Sequence, residues 1–206
     1  MTALVLVVPY GLAGTMRFVD AAATLDGVTL GLISHEAAGD LAGKMSSGTR
    51  DRVRGFVQID DAFNPDRLEV AVRRVSTRMG TGRVDALAAI LEPLQVPVAQ
   101  VRERLGIRGM DAAEADRFRD KSRMKDTLRA ADLPCARHCL ATSADEARAF
   151  AAEVMPLVVK PPAGAGAIDT VRIDERSQLE SWLGQTTPTA ERPLLLEEFI
   201  QGDEFS

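Results

Sequence analysis

Five residues of the stretch "KPPAGAGAID" have the chemistry to hold an anion: Lys160, then Gly164, Ala165, Gly166 and Ala167. A loop without large side chains leaves its backbone N–H groups free to close over phosphate oxygens, and an ammonium at a strand end adds a directed charge. Two familiar phosphate-binding arrangements do not fit. The P-loop places its lysine after the second glycine and opens a helix at once, whereas Lys160 precedes both glycines. The dinucleotide fingerprint requires a third glycine where Asp169 stands, followed by a helix, whereas residues 170–173 read as strand. A glycine-containing β-connection with a surface lysine fits the same residues. The loop by itself leaves both readings open.

Lysine usage adds weight to the anion reading. Lysine occurs only at positions 44, 121, 125 and 160 among 25 Lys and Arg residues, and its compact ammonium suits phosphate oxygens. Cys135 and Cys139 flank His138, but three neighbouring ligands do not complete a metal site, and free cysteines are usually small buried hydrophobes. The net charge of -5 gives no support to non-specific nucleic-acid binding, which needs a basic footprint. The longest apolar run, residues 3–9, is too short to cross a bilayer and lacks the flanks of a signal peptide. A cytoplasmic protein that contacts neither nucleic acid nor membrane is expected.

The elements that must carry these residues follow from periodicity. Hydrophobic content of 46% and charged content of 27% are those of a globular chain long enough for one or two cores. Continuous apolar runs predict strands over 3–9, 28–34, 53–59 and 84–91. Helices are expected over 16–25, over 65–79 behind an Asn64 cap with Pro at the first position, and over 93–105 before Gly106. This alternation predicts a mostly parallel α/β sheet over 1–110. From 111 onward the pattern changes. A charged helical stretch breaks near Arg119-Asp120, a short strand falls within 135–141, and Ser143 with Glu146 forms a capping box for a helix to 154. Strands over 157–160 and 170–173 flank the glycine loop, Asp174 caps a helix to 183, and "LLLEEFIQGDEFS" begins a last strand.

Taken in order, "DKSRMKDTLRAADLP", "MPLVVKPPAGAGA" and "LLLEEFIQGDEFS" resemble the ATP-grasp superfamily of ligases, which includes biotin carboxylase and carbamoyl-phosphate synthase. The resemblance spans roughly residues 84–206. It implies a pre-ATP-grasp parallel-sheet domain over 1–110, followed by the first part of an α+β ATP-grasp domain over 111–206. It also implies the activity: ATP activates a small carboxylate as an acyl phosphate, which an amine or similar nucleophile then attacks.

By matching position, the resemblance assigns Lys121 and Lys160 to the ATP phosphates and residues 164–167 to the loop over the triphosphate. Glu197, Glu198 and Ile200 fall at the adenine edge, and Glu204 at the ribose hydroxyls. Lys125, one turn beyond Lys121 on the same face, either helps at the phosphates or forms only a surface ion pair, and the surface role is favoured. Glu92, at the end of the fourth strand, is a candidate for the substrate side or a carboxylate favoured by the following helix dipole. Arg17 and the "PYGLAG" loop are lesser candidates. Mg²⁺ is implied as a cofactor, but the resemblance places its ligands after Ser206, so the chain is expected to be an incomplete ligase. It would then act as a homo-oligomer or with a partner chain that supplies the second lobe, or serve as a nucleotide-binding fragment.

Overall fold

The computed structural model describes residues 1–164 and 169–203, and the chain divides into two compact units, Met1–Asp116 and Arg117–Ser206. The α/β reading holds.

In the first unit, strands β1 (Thr2–Val7), β2 (Val28–Ser34), β3 (Val53–Gln58) and β4 (Ala86–Ala89) pair in parallel in the order β3-β2-β1-β4. Continuous apolar strands need cover on both faces, and they receive it. On one face Val5, Val7, Ile33 and Leu87 pack with Leu68, Val72 and Val75 of α4 (Pro65–Met79) and Val98 and Val101 of α5 (Gln95–Leu105). On the other, Leu6, Leu30 and Leu32 pack with Met16 and Val19 of α1 (Ala13–Ala23) and Leu41 of α2 (Ala38–Gly43).

The local signals explain most boundaries. Asn64 Oδ1 accepts from Asp66 N and Arg67 N at the start of α4, and Gly106 closes α5 in the left-handed conformation at φ 63°. Helix α4 lies so close to β3 that a Cβ on Gly55 would stand 2.7 Å from Met79 Cγ and 3.0 Å from the Val75 carbonyl oxygen. Only glycine permits that approach. Two short helices, α2 and α3 (Ser47–Arg52), fill the segment after β2 where the sequence pattern shows no period. The fourth strand contracts to Ala86–Ala89, because a 3-10 turn over Glu92–Leu94 begins soon after it. Helix α1 opens three residues before the expected start.

The second unit follows α6 (Ala112–Arg119), which spans the division between the units. Helix α7 (Lys121–Ala130) starts afresh because Asp120 Oδ1 accepts from Ser122 N and Arg123 N, placing the break where the sequence suggested. Strands β5 (His138–Ala141), β6 (Leu157–Lys160), β7 (Val171–Ile173) and β8 (Leu194–Glu198) form an antiparallel sheet in the order β5-β8-β6-β7. Ala141, Leu157, Val159, Ile173 and Leu196 point to one face, where α8 (Ala144–Glu153) and α9 (Arg176–Leu183) cover them with Ala147, Ala151, Leu179 and Leu183.

Two cap assignments are corrected. Helix α9 is capped by Glu175 in a box with Gln178, because the Asp174 carboxylate is engaged by Arg172. At α8, Ser143 Oγ accepts from Glu146 N as expected, but the Glu146 carboxylate accepts from Thr142 N and Oγ1, one residue further back.

Candidate functional site

Strand alternation sends His138, Val158, Lys160, Arg172, Leu195 and Glu197 to the sheet face opposite α8 and α9. Helix α7 faces the same side. The result is a small charged cluster. Glu197 is 7% exposed. Its Oε2 lies 2.5 Å from Lys160 Nζ, and its Oε1 lies 3.6 Å from Lys125 Nζ. The second separation is an ion pair without a hydrogen bond, and Oε1 is one of two buried side-chain atoms left without a hydrogen-bond partner among the described residues. Two ammonium groups therefore share one carboxylate, and the trio carries an excess positive charge.

The surface role read for Lys125 is corrected. Its side chain is 12% exposed because the turn of α7 that carries it is packed onto the sheet. A heptad-like surface count could not reveal this, since the covering partner, Glu197, is 72 positions away in sequence.

The other unpartnered atom is His138 Nδ1. His138 is the cross-strand neighbour of Glu197, its side chain is 4% exposed, and its Nε2 lies 3.1 Å from Asp126 Oδ1. That distance would suit an ion pair, yet the imidazole is held below its ordinary titration range. Burial is the main cause, and the cations Arg129 and Lys125 outweigh part of the pull from Asp126. The ring is thus favoured in its neutral form, with Nε2–H donating to Asp126 Oδ1.

The sign of the resulting pH dependence is fixed. Unfolded His138 takes up a proton as pH falls through its ordinary value of 6.5, while the folded ring resists. Folding stability is therefore expected to fall as pH drops below 6.5, at up to about 1.4 kcal/mol per pH unit, and to level off below the folded value. Urea midpoints measured between pH 7 and pH 5 should show this limb, and His138→Gln should flatten it.

Lys121 occupies the first position of α7 and holds the glycine loop twice. Its backbone N–H donates to Pro162 O at 3.0 Å, and its Nζ donates to Gly164 O at 2.7 Å. Arg119 also donates to Gly164 O, at 3.3 Å. Lys121 and Lys160 thus come from a helix start and a strand end and bracket the same loop. Ala165, Gly166 and Ala167 lie outside the described residues, as does Glu204.

Glu198 points away from Glu197, as adjacent strand residues must. Its carboxylate accepts from the Arg137 backbone and guanidinium and is held below the usual carboxylate range, chiefly by the Arg137 side chain. Ile200, just past β8, is 63% exposed.

Glu92 belongs to the first unit. It opens the 3-10 turn after β4, at the carboxyl edge beside the point where strand order reverses between β1 and β4. Arg17 lies exposed on α1. Sequence reasoning missed Glu36 nearby. Its carboxylate accepts from Gly11 N at 2.8 Å and from Lys44 Nζ at 2.7 and 2.9 Å, bracing the "PYGLAG" loop. Lys44 is the main cause of its depressed titration. The one available signal was that Lys44 is the only lysine before residue 121.

No protein-family model matches the sequence. The chain is 29% identical over 147 residues to an alanine–anticapsin ligase of Bacillus subtilis, covering 66% of this chain and 31% of that protein. Among solved structures, an L-amino acid ligase from Bacillus licheniformis matches 98% of this chain and 45% of its own, with a TM-score of 0.71 and 18% identity. An ADP complex of N5-carboxyaminoimidazole ribonucleotide synthetase matches 97% and 47%, with a TM-score of 0.70 and 12% identity. The fold is that of the ATP-grasp ligases. The chain spans about a third of the length of the curated relative and about half that of the solved structures. No helix among the described residues is long and apolar enough to cross a membrane.

Proposed function

We propose that the chain binds ATP on the sheet face bearing Lys160, as part of a cytoplasmic ligase that activates a small carboxylate as an acyl phosphate for attack by an amine. One observation carries this reading: Lys121 and Lys160, on separate elements, bracket a single glycine-containing loop, with Lys121 bound to Gly164 O. Cations arranged around a loop suit the charge that spreads over a transferred phosphoryl group. That a protein with this fold is known as an ADP complex supports nucleotide binding.

Within this reading Lys121 and Lys160 hold the phosphates, and residues 164–167 close over them. The backbone at Glu197 and Glu198 and the exposed side chain of Ile200 meet the base, and Glu204 takes the ribose. Glu92 stands on the carboxylate-substrate side. Mg²⁺ would neutralise phosphate charge when bound. The described residues bring together no group of three or more His, Cys, Asp or Glu side chains, so by themselves they build no Mg²⁺ cage.

Calorimetry with Mg-ATP tests the assignment. Lys160→Ala and Lys121→Ala are each expected to weaken binding at least about tenfold, the scale of one charge-assisted contact. Two variants that bind like the parent would remove the phosphate site from this loop.

A further inference from the structure

Glu197 answers two lysines at once, and one of them stands much closer to it than the other. Lys160 lies 2.5 Å from Oε2, while Lys125 stands 3.6 Å from Oε1, an atom with no hydrogen-bond partner. Removing one member of a buried ion pair is strongly destabilising, because the remaining charge is left uncompensated. A Lys160 that turned toward a phosphate would leave the Glu197 carboxylate in that condition.

Lys125 is placed to relieve it. Shortening 3.6 Å to an ordinary hydrogen bond takes less than about 1 Å, and among the described residues the Lys125 ammonium has no other ion-pair partner to give up. Its helix is also anchored beside the strands, since the next residue, Asp126, accepts from buried His138.

We infer that Lys125 is a positioning residue: it neutralises Glu197 when Lys160 leaves for the nucleotide and does not itself contact the phosphates. This rests on the reading of Lys160 as a phosphate ligand. The two lysines then work in sequence on one carboxylate, and Lys160 is released without stranding a buried charge.

ADP titrations of the parent, Lys125→Met, Lys160→Met, Glu197→Gln and the double variant Lys125→Met/Glu197→Gln test the inference. Lys125→Met is expected to weaken ADP binding about tenfold or more, because Lys160 becomes the sole cation on the carboxylate. Removing the carboxylate removes that trap. The double variant should therefore bind within about threefold of Glu197→Gln alone, a strong coupling in the cycle. Lys125→Arg, which keeps the charge, should stay near the parent.

An equal loss in both backgrounds would mean that Lys125 touches the ligand directly and would overturn the inference. Unchanged affinity in Lys125→Met would overturn it too. If Lys125→Met does not fold, Lys125→Gln carries the same comparison. Lys160→Met separates the underlying reading: parent-like affinity there, or a parent that does not bind ADP, refutes the phosphate site itself.

Discussion

Glu197→Ala is expected to destabilise the Arg117–Ser206 unit by about 3 kcal/mol or more, the cost of leaving a sheltered ion pair without one partner. Two ammonium groups at 12% and 21% exposure would lose their shared counter-charge. The loss differs in kind from cutting the Arg148–Glu180 pair, whose side chains are 45% and 53% exposed and well screened by water. The single tryptophan, Trp182, lies on α9 against the core of the same unit, so its fluorescence reports this unfolding directly. A urea midpoint that falls with an unchanged slope would match the expectation. A change below about 0.5 kcal/mol, the range of ordinary surface substitutions, would show that the cluster is solvated. Replacing Lys125, Lys160 and Glu197 together by Met, Met and Leu should recover most of the stability while removing the charge needed for nucleotide.

Leu196→Ala should cost a similar or larger amount, about 2–5 kcal/mol. Leu196 is fully buried on β8, the strand that joins β5 to β6, and it packs among the core residues beneath α8 and α9. Truncation leaves a cavity that the neighbouring strands close only in part. Because Leu196 immediately precedes Glu197 on the strand, the loss should also weaken nucleotide binding at temperatures where the protein remains folded. The Trp182 transition reads the first effect, and calorimetry well below the midpoint reads the second. A loss under about 1 kcal/mol would indicate that the site collapses around the smaller side chain.

The parts that were legible in the sequence were those governed by local chemistry. The 28–34 strand, the Asn64-capped helix over 65–79, the Gly106 stop and the 157–160 strand appear at the expected positions. Helices α2 and α3 were not legible, because six residues are too few to display a period, and the Ser46 cap of α3 follows no apolar pattern. Asp174 looked like the better cap by residue type, but Arg172, two residues back, competes for its carboxylate.

The site divides in the same way. The lysine-flanked loop stood out from residue types, which left open whether it clamps a phosphate or only turns the chain. The Lys125–Glu197–Lys160 cluster did not stand out, since β8 inserts between β5 and β6 out of chain order. Only that insertion brings Glu197 beside both His138 and Val158. Register of this kind is a tertiary property, and it decides which of two adjacent glutamates meets the lysines.

Lys121 grips the loop by its main chain at Pro162 and by its side chain at Gly164. A single residue is thus both pivot and sensor. Any excursion of the 162–164 segment must either break one of these two bonds or drag the first turn of α7 along, so loop position and ammonium position form one mechanical coordinate. Lys125 rides on the same helix, so α7 joins the 162–164 segment to the buried carboxylate.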